Sequence, residues 1–200
     1  MKNQKFLLFI IGIITFFFGC KNDNNEDHSN LSEKTFVTNA SDQNKWVYFS
    51  FESGDTLKVA DPLNSVAWDL AFKGTNLRTN SGKSGIGQGG AYYTNMQNQS
   101  DFSSLASVPN IAQFTTDDTM KVIVFMGYAL DTVNSVLYSW YNYDHTLHQI
   151  VPSNNIYIVK TATGKYAKLW LKNYYRDSDL AMGYIKFTYC YQPDGSTNLK

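Results

Sequence analysis

Two imidazoles, His145 and His148, stand in the run Trp140-Tyr-Asn-Tyr-Asp-His-Thr-Leu-His-Gln-Ile-Val-Pro152, where they carry the clearest ligand chemistry in this chain of 200 residues. Neutral imidazole is a good metal ligand at pH 7. The pair therefore reads either as metal or haem ligands, with His145 the first metal candidate, or as plain surface residues of an aromatic loop. An i, i+3 spacing would suit one helical face, but Pro152 and the surrounding aromatics place the run in a loop between strands. Haem iron also accepts a thioether. Met96, Met120, Met126 and Met182 supply that group within the same domain, although methionine more often fills gaps in a core.

Other motifs look chemical and lack their context. Gly85-Ile-Gly-Gln-Gly-Gly90 satisfies the dinucleotide pattern GxGxxG, which has meaning only where a helix follows and holds a pyrophosphate at its N-terminus. Here Ala91-Tyr-Tyr-Thr94 follows, and it reads as a strand. Gly82-Lys-Ser84 imitates the end of a phosphate loop, but Leu77 stands where the first Gly is required. There is no GxSxG elbow and no HExxH pair. Asp117-Asp118 and Asp177-Ser-Asp179 lack the ligand spacing of a calcium loop and read as solvated turns. Nothing in the sequence supports an enzyme.

The elements that must carry the imidazoles are strands. Aromatic residues make up 16% of the chain and charged residues 17%, with 13 Gly, a composition suited to β-structure with tight turns. Seventeen basic side chains balance 17 acidic ones, so a sequence-independent nucleic-acid binder, which needs surplus positive charge, is excluded. Strand-like runs cover 46–51, 66–72, 121–125, 135–141, 155–160, 166–171 and 184–191. Thr163-Gly164 marks a hairpin, and Asp101–Ala106 one short helical turn. The whole predicts an all-β domain over 36–200, a two-sheet antiparallel sandwich. Cys190 falls within the last run, beside Lys186 and Thr188 on its polar-leaning face, and reads as a strand position rather than a reactive thiol.

The first nineteen residues read as an address. Lys2 and Lys5 precede an apolar run from Phe6 to Phe18 that is too short to span a bilayer. Gly19-Cys20 follows and resembles a bacterial lipobox, in which Cys20 is acylated and becomes the new N-terminus. The polar, acidic stretch from Cys20 to residue 35 cannot bury enough surface to fold and reads as a flexible tether.

Longer motifs resemble the HmuY-type haem-binding lipoproteins. They are Val66-Ala-Trp-Asp-Leu-Ala-Phe72 with Arg78-Thr-Asn-Ser-Gly-Lys-Ser-Gly-Ile-Gly-Gln-Gly-Gly-Ala91, then Tyr157–Lys168, then Gly183-Tyr-Ile-Lys-Phe-Thr-Tyr189. The resemblance implies an all-β fold on an acylated tether at the outer membrane, with the lysine and acidic residues after Cys20 similar to a surface-export signal. It implies capture of haem between two axial side chains and delivery to a TonB-dependent outer-membrane receptor, with membrane contact through the lipid anchor only. By the same resemblance His145 is the first axial candidate and His148 its alternative. The second ligand has no counterpart in the resemblance, and the residues themselves offer Met126 first and Met120 second. Tyr128, Tyr141 and Tyr143, together with Met126, would wall the pocket. The alternative is a module on the same scaffold that binds a glycan or peptide through tyrosines such as Tyr92, Tyr93, Tyr174 and Tyr175. The Gly-rich run is expected to serve the fold, through positive φ and close backbone approach.

Overall fold

A computed structural model describes residues 31–124 and 127–200. The signal segment, the lipobox with Cys20, and Met126 lie outside the described residues. In chain order the strands are β1 (Lys34–Asn39), β2 (Val47–Ser50), β3 (Asp55–Leu57), β4 (Leu70–Lys73), β5 (Asn76–Thr79), β6 (Gly90–Tyr93), β7 (Asp118–Val124), β8 (Gly127–Val133), β9 (Tyr141–Asp144), β10 (Gln149–Pro152), β11 (Ile156–Lys160), β12 (Tyr166–Tyr175) and β13 (Met182–Gln192). Two short helices, α1 (Gln99–Ser104) and α2 (Ser135–Tyr138), interrupt them. A five-stranded sheet, β1-β13-β12-β11-β6, faces a four-stranded sheet, β3-β2-β4-β5, and every pairing is antiparallel. The hairpins β7–β8 and β9–β10 form separate two-stranded ribbons.

Period-2 alternation builds the core. Ile185, Phe187 and Tyr189 of β13 point inward, while Tyr184 and Lys186 point outward. Across the sandwich they meet Phe49, Phe51 and Phe72, with ring centroids 5.2–5.4 Å apart for Phe49–Phe187, Phe51–Tyr189 and Phe72–Phe187. Such aromatic pairs add about 0.5–1.5 kcal/mol each beyond the area they bury.

The outer face of the five-stranded sheet is covered as well. Helix α1 and the C-terminal segment lay Phe102, Leu105, Val108 and Leu199 over Ile156, Ile158, Trp170 and Cys190. The second half of β13 is therefore buried on both sides, and Cys190 lies in this second core rather than on a polar face. Lys168 is buried with it, donating from Nζ to the carbonyls of Phe102 and Leu105 at 3.0 and 3.3 Å, where α1 ends. Burial pushes its pKa down.

Three local expectations change. Ser135–Tyr141 opens with α2 rather than a strand, because the Asn134 side chain accepts from the Val136 and Leu137 amides and caps a helical turn. Asp117 is buried, not solvated. In the Gly-rich run only Gly82 has positive φ, at 54°. Gly85, Gly87 and Gly89 are required instead by close approach: a Cβ on each would stand 2.2–2.6 Å from Asn80. The strand β6 that follows Gly89 confirms that no helix opens there.

Candidate functional site

The β7–β8 ribbon is anchored at its base. Asp117, next to the start of β7, accepts from the Thr79 amide at 2.9 Å, the Thr79 hydroxyl at 2.6 Å and the Asn134 amide group at 3.0 Å. Burial without a cation pushes its carboxyl up from the ordinary value, against these hydrogen bonds. Asn134 also donates to the Thr115 carbonyl at 2.7 Å, so one side chain joins the approach to β7 to the start of α2. On β8, Asp131 pairs with Lys73 at 2.8 Å and Arg78 at 3.0 Å, and Arg78 donates to the Thr132 carbonyl. Farther out, the Ile123 amide donates to the Tyr138 hydroxyl at 2.8 Å.

Register sorts the two faces of this ribbon, because directly opposed residues share a face. Lys121 opposes Leu130 and Ile123 opposes Tyr128, so these four form one face. Leu130 is 76% exposed, Tyr128 65% and Ile123 58%. The Lys121 ammonium lies 4.2 Å from the Tyr128 ring centroid and makes no ion pair among the described residues. Met120 opposes Asp131 on the other, half-buried face. The structure thus separates Met120 from Tyr128.

The β9–β10 ribbon is the loop that holds the imidazoles, now a hairpin with a four-residue turn, His145–His148. Its base is held by buried Trp140, whose indole donates to the Thr75 carbonyl at 2.8 Å. Tyr141 is half-buried, edge-on to Trp140, and accepts from the Thr75 hydroxyl. Its phenol is pushed up by burial. Tyr175 accepts from the Ile150 amide at 2.8 Å.

The turn itself is shaped by Asp144, whose carboxylate accepts from the Thr146 and Leu147 amides at 2.8 and 3.0 Å. Those bonds hold its pKa below the usual carboxylate value. His148 then closes the turn at φ 52°, a left-handed conformation that costs a residue with a side chain roughly 1 kcal/mol and that Gly or Asn would take more cheaply. Both imidazoles are exposed and both meet Tyr143. The His145 ring lies edge-on at 4.9 Å, and His148 Nδ1 stands 3.3 Å from the Tyr143 hydroxyl. Leu147, between them, is 62% exposed.

The structure therefore brings Tyr143, His145 and His148 together. Neither imidazole lines the concavity of about 470 Å³ on the outer face of the four-stranded sheet, which is bounded by residues including Trp46, Tyr48, Leu57 and Lys58. Among the described residues no cluster of three or more His, Cys, Asp or Glu side chains could hold a metal ion. No described helix is long and apolar enough to cross a membrane. Sequence reasoning missed the apolar face of Ile123 and Leu130, although the alternation of Lys121-Val-Ile-Val with Tyr128-Ala-Leu-Asp contains it once the two runs are paired.

The HmuY protein family model matches residues 42–189. Among solved structures, the fold is shared with the apo HmuY analog of Tannerella forsythia, at 20% identity over 84% of this chain and 100% of that one, with a TM-score of 0.64. A candidate HmuY-like haem-binding protein of Bacteroides vulgatus is 22% identical over 80% and 91% of the respective chains, with a TM-score of 0.61. A candidate lipoprotein of Bacteroides fragilis is 22% identical over 84% and 94%, also with a TM-score of 0.61. At these identities the structural likeness is one of fold. No curated protein matches the chain.

Proposed function

This chain belongs to the HmuY family, and from that premise we propose that it captures haem with its two projecting hairpins. The observation that carries the proposal is the concentration of exposed large apolar side chains on these ribbons: Ile123, Tyr128, Leu130, Tyr143 and Leu147. Isolated exposed apolar residues are ordinary, but a grouped set marks a binding surface. Haem is a flat apolar macrocycle with two carboxylates and an iron that takes axial imidazole or thioether. The hairpins offer apolar surface, an imidazole pair and the Lys121 ammonium, which makes no ion pair among the described residues. Imidazole from His145 or His148 would supply one axial bond, and a thioether from Met126 or Met120 the other.

Haem is cargo in this proposal, not a cofactor for catalysis. Acylation at Cys20 would hold the domain on the outer membrane, facing outward, and the cargo would pass to a TonB-dependent receptor. Removal of the signal segment leaves the chain slightly acidic, which suits a lipid anchor rather than a basic patch as the membrane contact.

A visible-spectrum titration of haem into the chain, in both iron oxidation states, tests the proposal. A saturating Soret shift at one equivalent is expected, lost in His145→Ala or His148→Ala and altered in Met126→Ala or Met120→Ala. A spectrum no different from free haem would reject capture.

One observation favours a second reading, a glycan or peptide module, namely the concavity beside Trp46 and Tyr48. The tyrosines expected to serve it do not. Tyr174 is buried, and Tyr92, Tyr93 and Tyr175 are half-buried in packing. A glycan array with binding that Trp46→Ala abolishes would favour this reading.

A further inference from the structure

Resting on the haem reading, we propose that Tyr143 is a positioning residue: its hydroxyl accepts a hydrogen bond from Nδ1 of His148, which fixes the tautomer that leaves the Nε2 lone pair free and makes His148, not His145, the axial imidazole. The two histidines sit in one turn and touch one tyrosine, yet in different ways. His145 meets the Tyr143 ring edge-on, and among the described residues its ring nitrogens have no hydrogen-bond partner. His148 stands with Nδ1 3.3 Å from the hydroxyl.

A neutral imidazole carries one proton, on either nitrogen. With that proton on Nδ1 and aimed at the tyrosine oxygen, Nε2 keeps the lone pair an iron needs. A ligating imidazole characteristically donates its other N–H to such a partner, which holds the ring's orientation and raises the ligand's basicity. The backbone points the same way. The Asp144 carboxylate folds the turn through the Thr146 and Leu147 amides, and the last turn position must be left-handed. The chain places His there although Gly or Asn would be easier, and that conformation returns the imidazole to Tyr143, five residues back. Strained backbone persists where the surrounding structure serves a function.

The test has two arms on the full chain. In the haem-free chain, long-range ¹⁵N–¹H correlation of the histidine rings should show His148 with its proton on Nδ1. Tyr143→Phe should return it to the Nε2–H form, leaving His145 unchanged. In the haem arm, Tyr143→Phe should keep the parental imidazole spectrum but bind about 10–100-fold more weakly and shift the iron midpoint potential upward, because the ligand becomes less basic. His148→Asn, which tolerates the left-handed backbone, should fold normally and lose the imidazole spectrum, while His145→Ala keeps it. An unchanged tautomer and unchanged affinity in Tyr143→Phe overturn the inference while haem capture stands. Loss of the spectrum in His145→Ala but not in His148→Asn does the same. A parent without a Soret shift overturns haem capture and the ligand role of His148 together, whatever the tautomer arm shows.

Discussion

Asp69 and Asp117 are 6% and 2% exposed, and neither pairs with a cation among the described residues. Each is held by donors from distant parts of the chain. Asp69 accepts from the Phe51 and Ala162 amides, both at 2.9 Å, and so joins the end of β2 to the turn after β11. Asp69→Ala would strand both buried amides and should cost about 2–3 kcal/mol in chemical denaturation, at about 1–3 kcal/mol for each unsatisfied group less local relaxation. Burial raises both carboxyls above the ordinary value of 3.8. A raised folded-state pKa means that the folded protein holds the proton more tightly than the unfolded chain. The resulting stabilisation is complete below pH 3.8 and is lost as pH rises through the folded value. The urea midpoint of the parent relative to Asp117→Asn should therefore fall as pH rises above 3.8, and a pH-independent difference would refute this. Asp179 works oppositely in a lower window: Arg176 holds it near 2, so its contribution fades only as pH falls below 3.8 toward that value.

At the scale of elements, each ribbon is fixed where it leaves the body. Asn134 caps α2, bonds Asp117 and reaches the Thr115 carbonyl. The Gly-rich turn wraps Asn80 so closely that side chains are excluded. At Gly87 an added Cβ would stand 2.6 Å from the Asn80 carbonyl oxygen and 2.9 Å from the Ala162 Cα. Both neighbours are backbone and cannot swing aside. Gly87→Ala should destabilise the chain by about 1–3 kcal/mol, the usual cost of overpacking, and a thermal midpoint equal to the parent's would contradict the close approach. The outer part of the β9–β10 ribbon is shaped by local bonds instead, from the Asp144 carboxylate to the Thr146 and Leu147 amides.

For the whole molecule, the sandwich, the second core under α1 and the C-terminal segment form a scaffold, and Ile123, Tyr128, Leu130, Tyr143 and Leu147 lie exposed on the two ribbons outside it. Ligand binding then has a local structural signature. Haem at about 100 times its dissociation constant should raise stability by about 2.7 kcal/mol. Hydrogen-exchange protection should increase in β7–β10 and stay unchanged in β1 and α1. Uniform protection across both sheets would mean that the ligand sits in the sandwich instead.

Much of this was legible in the residues alone. Aromatic and β-branched runs bounded by turn residues named most strands of the two sheets, and Ala91-Tyr-Tyr after the glycines excluded a dinucleotide helix without any coordinates. The motifs from Val66 to Tyr189 carried the family. A strand with a single apolar residue, such as Asn76–Thr79, was not legible, because its faces are set by partners rather than by its own pattern. Local sequence reports one periodic face, whereas burial of the other depends on what the chain returns to cover it. Cys190 and Lys168 went inside because α1 and Leu199 lie over them, and Asp117 because Thr79 and Asn134 converge on it from 38 and 17 residues away. The two histidines were visible from the start. That one of them faces a tyrosine hydroxyl, and the other only a tyrosine ring, was decided by the turn that Asp144 folds.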